Sequence, residues 1–256
     1  MTTLLSILIF GFFLGMRHAT DSDHVIAVTT IVSRQRHIGS AATTGIFWGI
    51  GHSITLLVVG GAIVLFGVVI PQRLGLSFEF CVALMLILLG ALNVRPLFRL
   101  IRRPTPETES FHEHQHRHGD YVHSHAHGHG PGEHGHSDDA VPPARLDQQF
   151  GGCRIYQALR PTIIGLVHGL AGSAAIALLI LPIVPNPLWA MMYLSIFAVG
   201  TIAGMMLITA SIAVPVTFTA RFQWFHRHLG TAAGFLSLLF GFFLVYHIGF
   251  VDGLFR

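Results

Sequence analysis

The sequence predicts an all-α polytopic membrane protein. It is expected to have about six transmembrane helices in two inverted three-helix repeats, joined by a His-rich cytoplasmic loop. Three observations carry this. Charged residues make up only 11% of the 256 residues and apolar ones 52%, against roughly a quarter charged in a soluble domain. Six apolar runs approach the ~20 residues a helix needs to cross a bilayer. The fifteen basic residues are all arginine and mostly flank those runs, as a topology signal does. The pI near 9.3 therefore does not indicate nucleic acid. The expected units are residues 1–103, a first transmembrane half; 104–157, a disordered loop; and 158–256, a second transmembrane half.

The first apolar run, Leu4 to Ser33, would measure about 45 Å as a straight helix, longer than the ~30 Å hydrocarbon core. It must tilt, kink or break, and Gly11, Gly15 and the polar stretch from Arg17 are the obvious places. The second, Thr43 to Ile70, carries Gly45, Gly49 and Gly51, a small-residue face suited to close helix contact. The third runs from Leu76 to about Val94 and is closed by Arg95, Arg99, Arg102 and Arg103. Residues 104–157 are rich in Pro, Gly, His and acidic residues and show no helix or strand period. Apolar runs resume at Leu159 to Val184, Leu188 to Pro215 and Leu229 to Val251, the first two separated by Pro185-Asn186-Pro187.

Connections after the odd runs hold Arg34, Arg36, Arg95 to Arg103, Arg154, Arg160, Arg221 and Arg227, whereas those after the even runs hold only Arg73. Positive residues gather on the cytoplasmic side. Both termini are thus expected outside the cell membrane (the inner membrane of a two-membrane cell), and the long loop in the cytoplasm; if the first run is two short spans, the N-terminus lies inside and the rest is unchanged. A weak repeat relates Gly15-Met16-Arg17-His18-Ala19 to Gly165-Leu166-Val167-His168-Gly169, and Leu89-Gly90 to Phe240-Gly241. Three runs per half is an odd number, so the second half would be inverted, a plan common in secondary transporters.

The stretch Arg17-His18-Ala19-Thr20-Asp21-Ser22-Asp23-His24 puts five ionisable residues inside the first run. Each charge costs about 2.5–3.5 kcal/mol on insertion scales and is retained only where it faces protein or an aqueous path. On a helix His18 and Asp21 share a face, as do Asp21 and His24, but His18 and His24 converge only across a bend or an unwound turn. Imidazole with carboxylate suits a borderline divalent ion such as Ni2+, Co2+ or Zn2+. The plainer account pairs Arg17 with Asp21 as a structural ion pair, yet leaves Asp23 and His24 unexplained. His52, in Gly51-His52-Ser53, is the expected partner from the second run, since its glycines would let that helix approach the first closely. His168 occupies the repeat position of His18, but Ser173 and Ala174 stand where Asp23 and His24 would be. Candidate metal residues are therefore His18, Asp23, His24, His52, Asp21 and His168. His247, near a run's end, is expected to be interfacial.

The loop carries His112, His114, His116, His118, His123, His125, His127, His129, His134 and His136, ten histidines in 25 positions. They are expected to form an auxiliary set that binds divalent metals in many interchangeable ways, or else a merely solvated linker.

The pattern His18, four residues, Asp23-His24, preceded by Gly15-Met16-Arg17, resembles the signature of the nickel/cobalt transporter family. Trp48-Gly-Ile-Gly-His52-Ser53 resembles that family's second motif. Leu166-Val167-His168-Gly-Leu-Ala-Gly-Ser is similar to its shorter, urease-accessory-like branch. The resemblance implies a permease for Ni2+ and Co2+ with His18, Asp23 and His24 in the metal path and His52 beside them. It further implies no prosthetic group, and partners among cytoplasmic metallochaperones or nickel-enzyme accessory proteins. The chain departs from the longer members, usually assigned eight spans, and lacks their acidic motif in the second half.

The reading is uptake by a non-enzyme, without ATP, because no Gly-x-x-x-x-Gly-Lys-Ser/Thr is present. One rival is nickel/cobalt efflux by proton antiport. Another is a His-box membrane metalloenzyme, disfavoured because His-Glu-x-x-His is absent and His52 and His168 stand isolated.

Overall fold

A computed structural model describes residues 2–33, 35, 37–67, 71–101, 112–118, 121–127, 154–170, 186–219 and 223–255. Its helices are α1 Thr2–His18, α2 Ser22–Val32, α3 Ile38–Phe66 and α4 Gln72–Ile101 in the first half. In the second half they are α5 Arg154–His168, α6 Pro187–Thr219 and α7 Gln223–Tyr246, which runs on into a π-helical turn, His247–Val251. Among the described residues four stretches are long and apolar enough to cross a membrane: Ile38–Phe66, Gln72–Val94, Pro187–Thr217 and His228–Val251. In lipid a helix satisfies its own N–H and C=O groups, so apolar runs of this length fold as helices. Large apolar side chains such as Phe10, Phe13, Val58, Leu88, Leu239 and Phe242 are exposed, while histidines, threonines and serines lie buried. That is the reverse of a soluble protein and fits a hydrocarbon surround.

The first apolar run is broken into α1 and α2 at Ala19–Asp21. Thr20, Asp21 and Ser22 favour turns and helix starts because their side chains compete for nearby backbone groups. Here the Thr20 hydroxyl and backbone N–H both donate to Arg17 O, at 2.6 and 2.8 Å. Asp21 N–H donates to His18 O at 3.1 Å, and the next helix begins where Val25 N–H donates to Asp21 O at 3.0 Å. Pro215 neither ends nor interrupts α6. Only the start of the expected fourth span is seen, as α5, which begins at Arg154 inside the segment expected to be loop; residues 171–185 lie outside the described residues.

α1 lies along α6, α6 along α3, and α3 along α5; α4 pairs with α7, and α2 sits between the row and the pair. Two crossings are unusually close. A Cβ at Gly15 would collide with the Phe197 carbonyl oxygen of α6, and one at Gly200 with the Phe12 carbonyl oxygen. In the same way a Cβ at Gly51 would collide with Thr162 O of α5, and one at Gly165 with Trp48 O. Backbones in contact at these points fix the depth at which α1, α3 and α5 present their histidines.

In the segment read as having neither helix nor strand, β1 His112–His118 and β2 Tyr121–His127 pair antiparallel. That expectation is corrected here. The register sets His112 opposite His127, His114 opposite His125 and His116 opposite His123. The every-other-residue histidines have the period of a strand; that alternation indicates an extended chain but names no partner for it. The expected ligands His129, His134 and His136 lie outside the described residues.

Candidate metal centre

The break between α1 and α2 turns His18 and His24 toward each other, with ring centroids 4.7 Å apart. α3 brings His52, whose ring lies 5.1 Å from both. α5 brings His168, 4.2 Å from His24. His24, His52 and His168 are fully buried and His18 is nearly so. Five of the six expected metal residues, His18, Asp23, His24, His52 and His168, thus meet in one cluster. They divide into two sets, His18/His24/His52 and Asp23/His24/His168, in each of which the possible ligand atoms lie within 4.8 Å of one another. His24 belongs to both.

The hydrogen bonds fix which nitrogens are free. Asp23 accepts from His24 Nδ1 through Oδ1 and from His168 Nε2 through Oδ2, each at 3.0 Å. Asp21 Oδ2 accepts from His18 Nδ1 at 2.9 Å. With ionised carboxylates as acceptors, these three nitrogens carry the protons. His18 Nε2 then presents a lone pair and accepts from His52 Nε2 at 3.1 Å. What remains is His24 Nε2, His52 Nδ1 and His168 Nδ1, all buried and without a hydrogen-bond partner among the described residues. Each is a lone pair with no donor facing it, which is the property of a ligand awaiting a cation. Carboxylates that hold the far nitrogen of a ligating histidine are the usual outer support of such sites.

Asp21 acts differently from the expectation. It does not pair with Arg17 among the described residues but holds His18. It is the N-cap residue of α2, yet its side chain makes no cap hydrogen bond. The turn at Ala19–Asp21 directs its carboxylate back over α1, where the rigid imidazole is within reach. Asp23, in the first turn of α2, also supplies a negative charge at the positive end of that helix. His247 lies outside the cluster, half exposed and 2.9 Å from Asp252, as an interfacial residue would.

Trp48 was not singled out by its residue type. Its ring lies 5.7 Å from His24 and 5.5 Å from His168, and its indole nitrogen is buried without a partner among the described residues. Its place one helical turn before His52 was the available signal.

The family model described as High-affinity nickel-transport protein, NicO, matches residues 4–141. The urease accessory protein UreH of Bacillus sp. (strain TB-90) is 34% identical over 253 residues, covering 99% of this chain and 96% of the relative. No solved structure matches the chain.

Proposed function

The chain belongs to the NicO family of high-affinity nickel-transport proteins, and on that premise we propose that it is a secondary transporter carrying Ni2+, and Co2+ with it, into the cell through the cluster of His18, Asp23, His24, His52 and His168. Membership makes it a transporter rather than an enzyme, and its four long apolar helices make it a membrane protein. The observation that carries the proposal is the convergence of four imidazoles and one carboxylate, from α1, α2, α3 and α5, with three ring nitrogens left unpartnered among the described residues. Nitrogen-rich donors with one carboxylate suit Ni2+ and Co2+ better than Ca2+ or Mg2+, which prefer oxygen alone.

Transport would follow from the two sets sharing His24. An ion entering one set would exchange water for that set's free ring nitrogens, then pass to the other while His24 keeps hold of it. The intervening state is never a bare ion, which lowers the barrier to crossing. The membrane potential supplies the driving force: moving +2 inward across roughly 100 mV is worth about 4.6 kcal/mol.

The architecture we propose is six crossings in two inverted three-helix repeats. The packing of α1 on α6 and of α5 on α3, each with two glycines at the crossing, suits that symmetry. Both termini then lie outside the cell (inner) membrane and the His-rich segment lies in the cytoplasm, where it buffers the released ion. Cytoplasmic metallochaperones or nickel-enzyme accessory proteins are the partners this reading calls for; the Bacillus relative bears the name of a urease accessory protein.

Direction is tested by expressing the chain in a metal-sensitive host and scoring growth on nickel and cobalt in parallel. Uptake makes the cells more sensitive to both metals. Increased tolerance would reverse the direction and leave efflux as the function.

A further inference from the structure

Trp48 is 1% exposed, and its indole Nε1–H has no hydrogen-bond partner among the described residues. A buried donor left unmade is costly, and such groups in folded proteins have a reason. Packing alone would be served by phenylalanine, which carries no such penalty.

The position of the ring suggests the reason. Trp48 lies tilted at 40° against His24 and edge-on at 82° to His168, so it closes one side of the Asp23/His24/His168 set. A Cβ at Gly165 would come 2.9 Å from Trp48 Cδ1. The ring edge bearing Cδ1, and Nε1 next to it, therefore faces α5 one turn before His168. The same crossing presses the Trp48 carbonyl against Gly165, which leaves the indole little room to turn away.

An indole N–H only donates, so it cannot bind a metal ion directly. It can donate to an oxygen that the ion brings. With Asp23 accepting from two imidazole N–H groups, the Asp23/His24/His168 set offers the ion two free nitrogens, His24 Nε2 and His168 Nδ1, and no more than three protein ligands in all. Where a metal has only three protein ligands, water commonly holds an open position.

We propose that Trp48 is a positioning residue whose indole N–H holds a water ligand of the ion at the Asp23/His24/His168 set, so that the species carried is a partly hydrated divalent cation. The proposal rests on the reading of the cluster as the metal site. It gives Trp48 a role in selection: an ion that reaches the site stripped of water, or with its water placed elsewhere, loses this bond.

The test is calorimetric titration of the purified full chain in detergent with NiCl2, comparing wild type, Trp48→Phe and His24→Ala. Trp48→Phe is expected to bind about five- to tenfold more weakly, the effect of one hydrogen bond. His24→Ala is expected to lose the tight site. Trp48→Phe binding within about twofold of wild type, with His24→Ala defective, would overturn the role of Trp48 alone; wild-type binding by His24→Ala would overturn the underlying site. If Trp48→Phe fails to fold, the indole N–H resonances of the three tryptophans are followed in the wild type as diamagnetic Zn2+ is added. One resonance must move downfield on binding; three unmoved resonances overturn the proposal.

Discussion

Asp23 Oδ2 stands 3.0 Å from His168 Nε2, tying together side chains 145 positions apart in the chain. Its other oxygen accepts from His24 Nδ1. One carboxylate thus sets the rotation of two imidazoles on different helices and keeps their remaining nitrogens free of protons. Replacing it with an amide, Asp23→Asn, removes the charge and one acceptor. Nickel uptake is expected to fall by about 10- to 100-fold, the usual cost of losing such support. Initial uptake rates check this, and a rate within about twofold of wild type would contradict it.

Asp21 supports His18 rather than the start of α2. An N-cap aspartate replaced by alanine typically costs about 0.5–2 kcal/mol. Here the side chain does not cap α2 and holds His18 instead. Asp21→Ala should therefore lower nickel uptake, and any loss of stability comes from the buried His18 Nδ1–H left without its acceptor, about 1–3 kcal/mol, rather than from an uncapped helix. A clear loss of stability with unchanged uptake would show that the residue serves the helix rather than the histidine.

The close crossing of α3 and α5 makes a steric prediction. Gly51→Ala and Gly165→Ala each push a methyl group into an opposing carbonyl oxygen, and overpacking of this kind costs about 1–3 kcal/mol or more. Both variants should show reduced yields of monodisperse protein. Gly39→Ala, at a position with nothing within 4 Å of the added carbon, should behave as wild type. Equal yields from all three would mean that the helices do not meet at that depth.

The His-rich segment is expected to bind metal without limiting transport. Replacing its ten histidines with asparagine should lower the nickel bound per chain to about one ion, since isolated polar side chains do not chelate as alternating imidazoles do. The initial uptake rate should stay within about twofold. A collapse of uptake would place the segment on the transport path itself.

Much of the centre was legible in the sequence because its residues are chemically out of place. Charges in an apolar run require a function, and Thr20-Asp21-Ser22 are turn formers, so a break bringing His18 to His24 could be anticipated. The glycines around His52 announced a close approach, expected to the first run, whereas Gly51 meets Thr162 of α5 and Gly45 and Gly49 meet Thr209 and Ile202 of α6. His168 was found only through its repeat position, because its bond to Asp23 joins two helices and leaves no periodic trace. Arg17 and Asp21 were misread since their spacing suits a continuous helix, and the break that removes that geometry also aims Asp21 at His18. The hairpin of β1 and β2 escaped notice because alternation specifies an extended chain but not its partner.

The central claim is that the buried histidines and Asp23 are the path of the metal. His24 is common to both ligand sets, so its removal tests both at once. The measurement is the initial rate of radioactive nickel accumulation in cells expressing wild type or His24→Ala, with equal amounts of each protein verified in the membrane. Accumulation by His24→Ala at the level of cells lacking the transporter is the predicted result; accumulation at the wild-type rate would contradict the account.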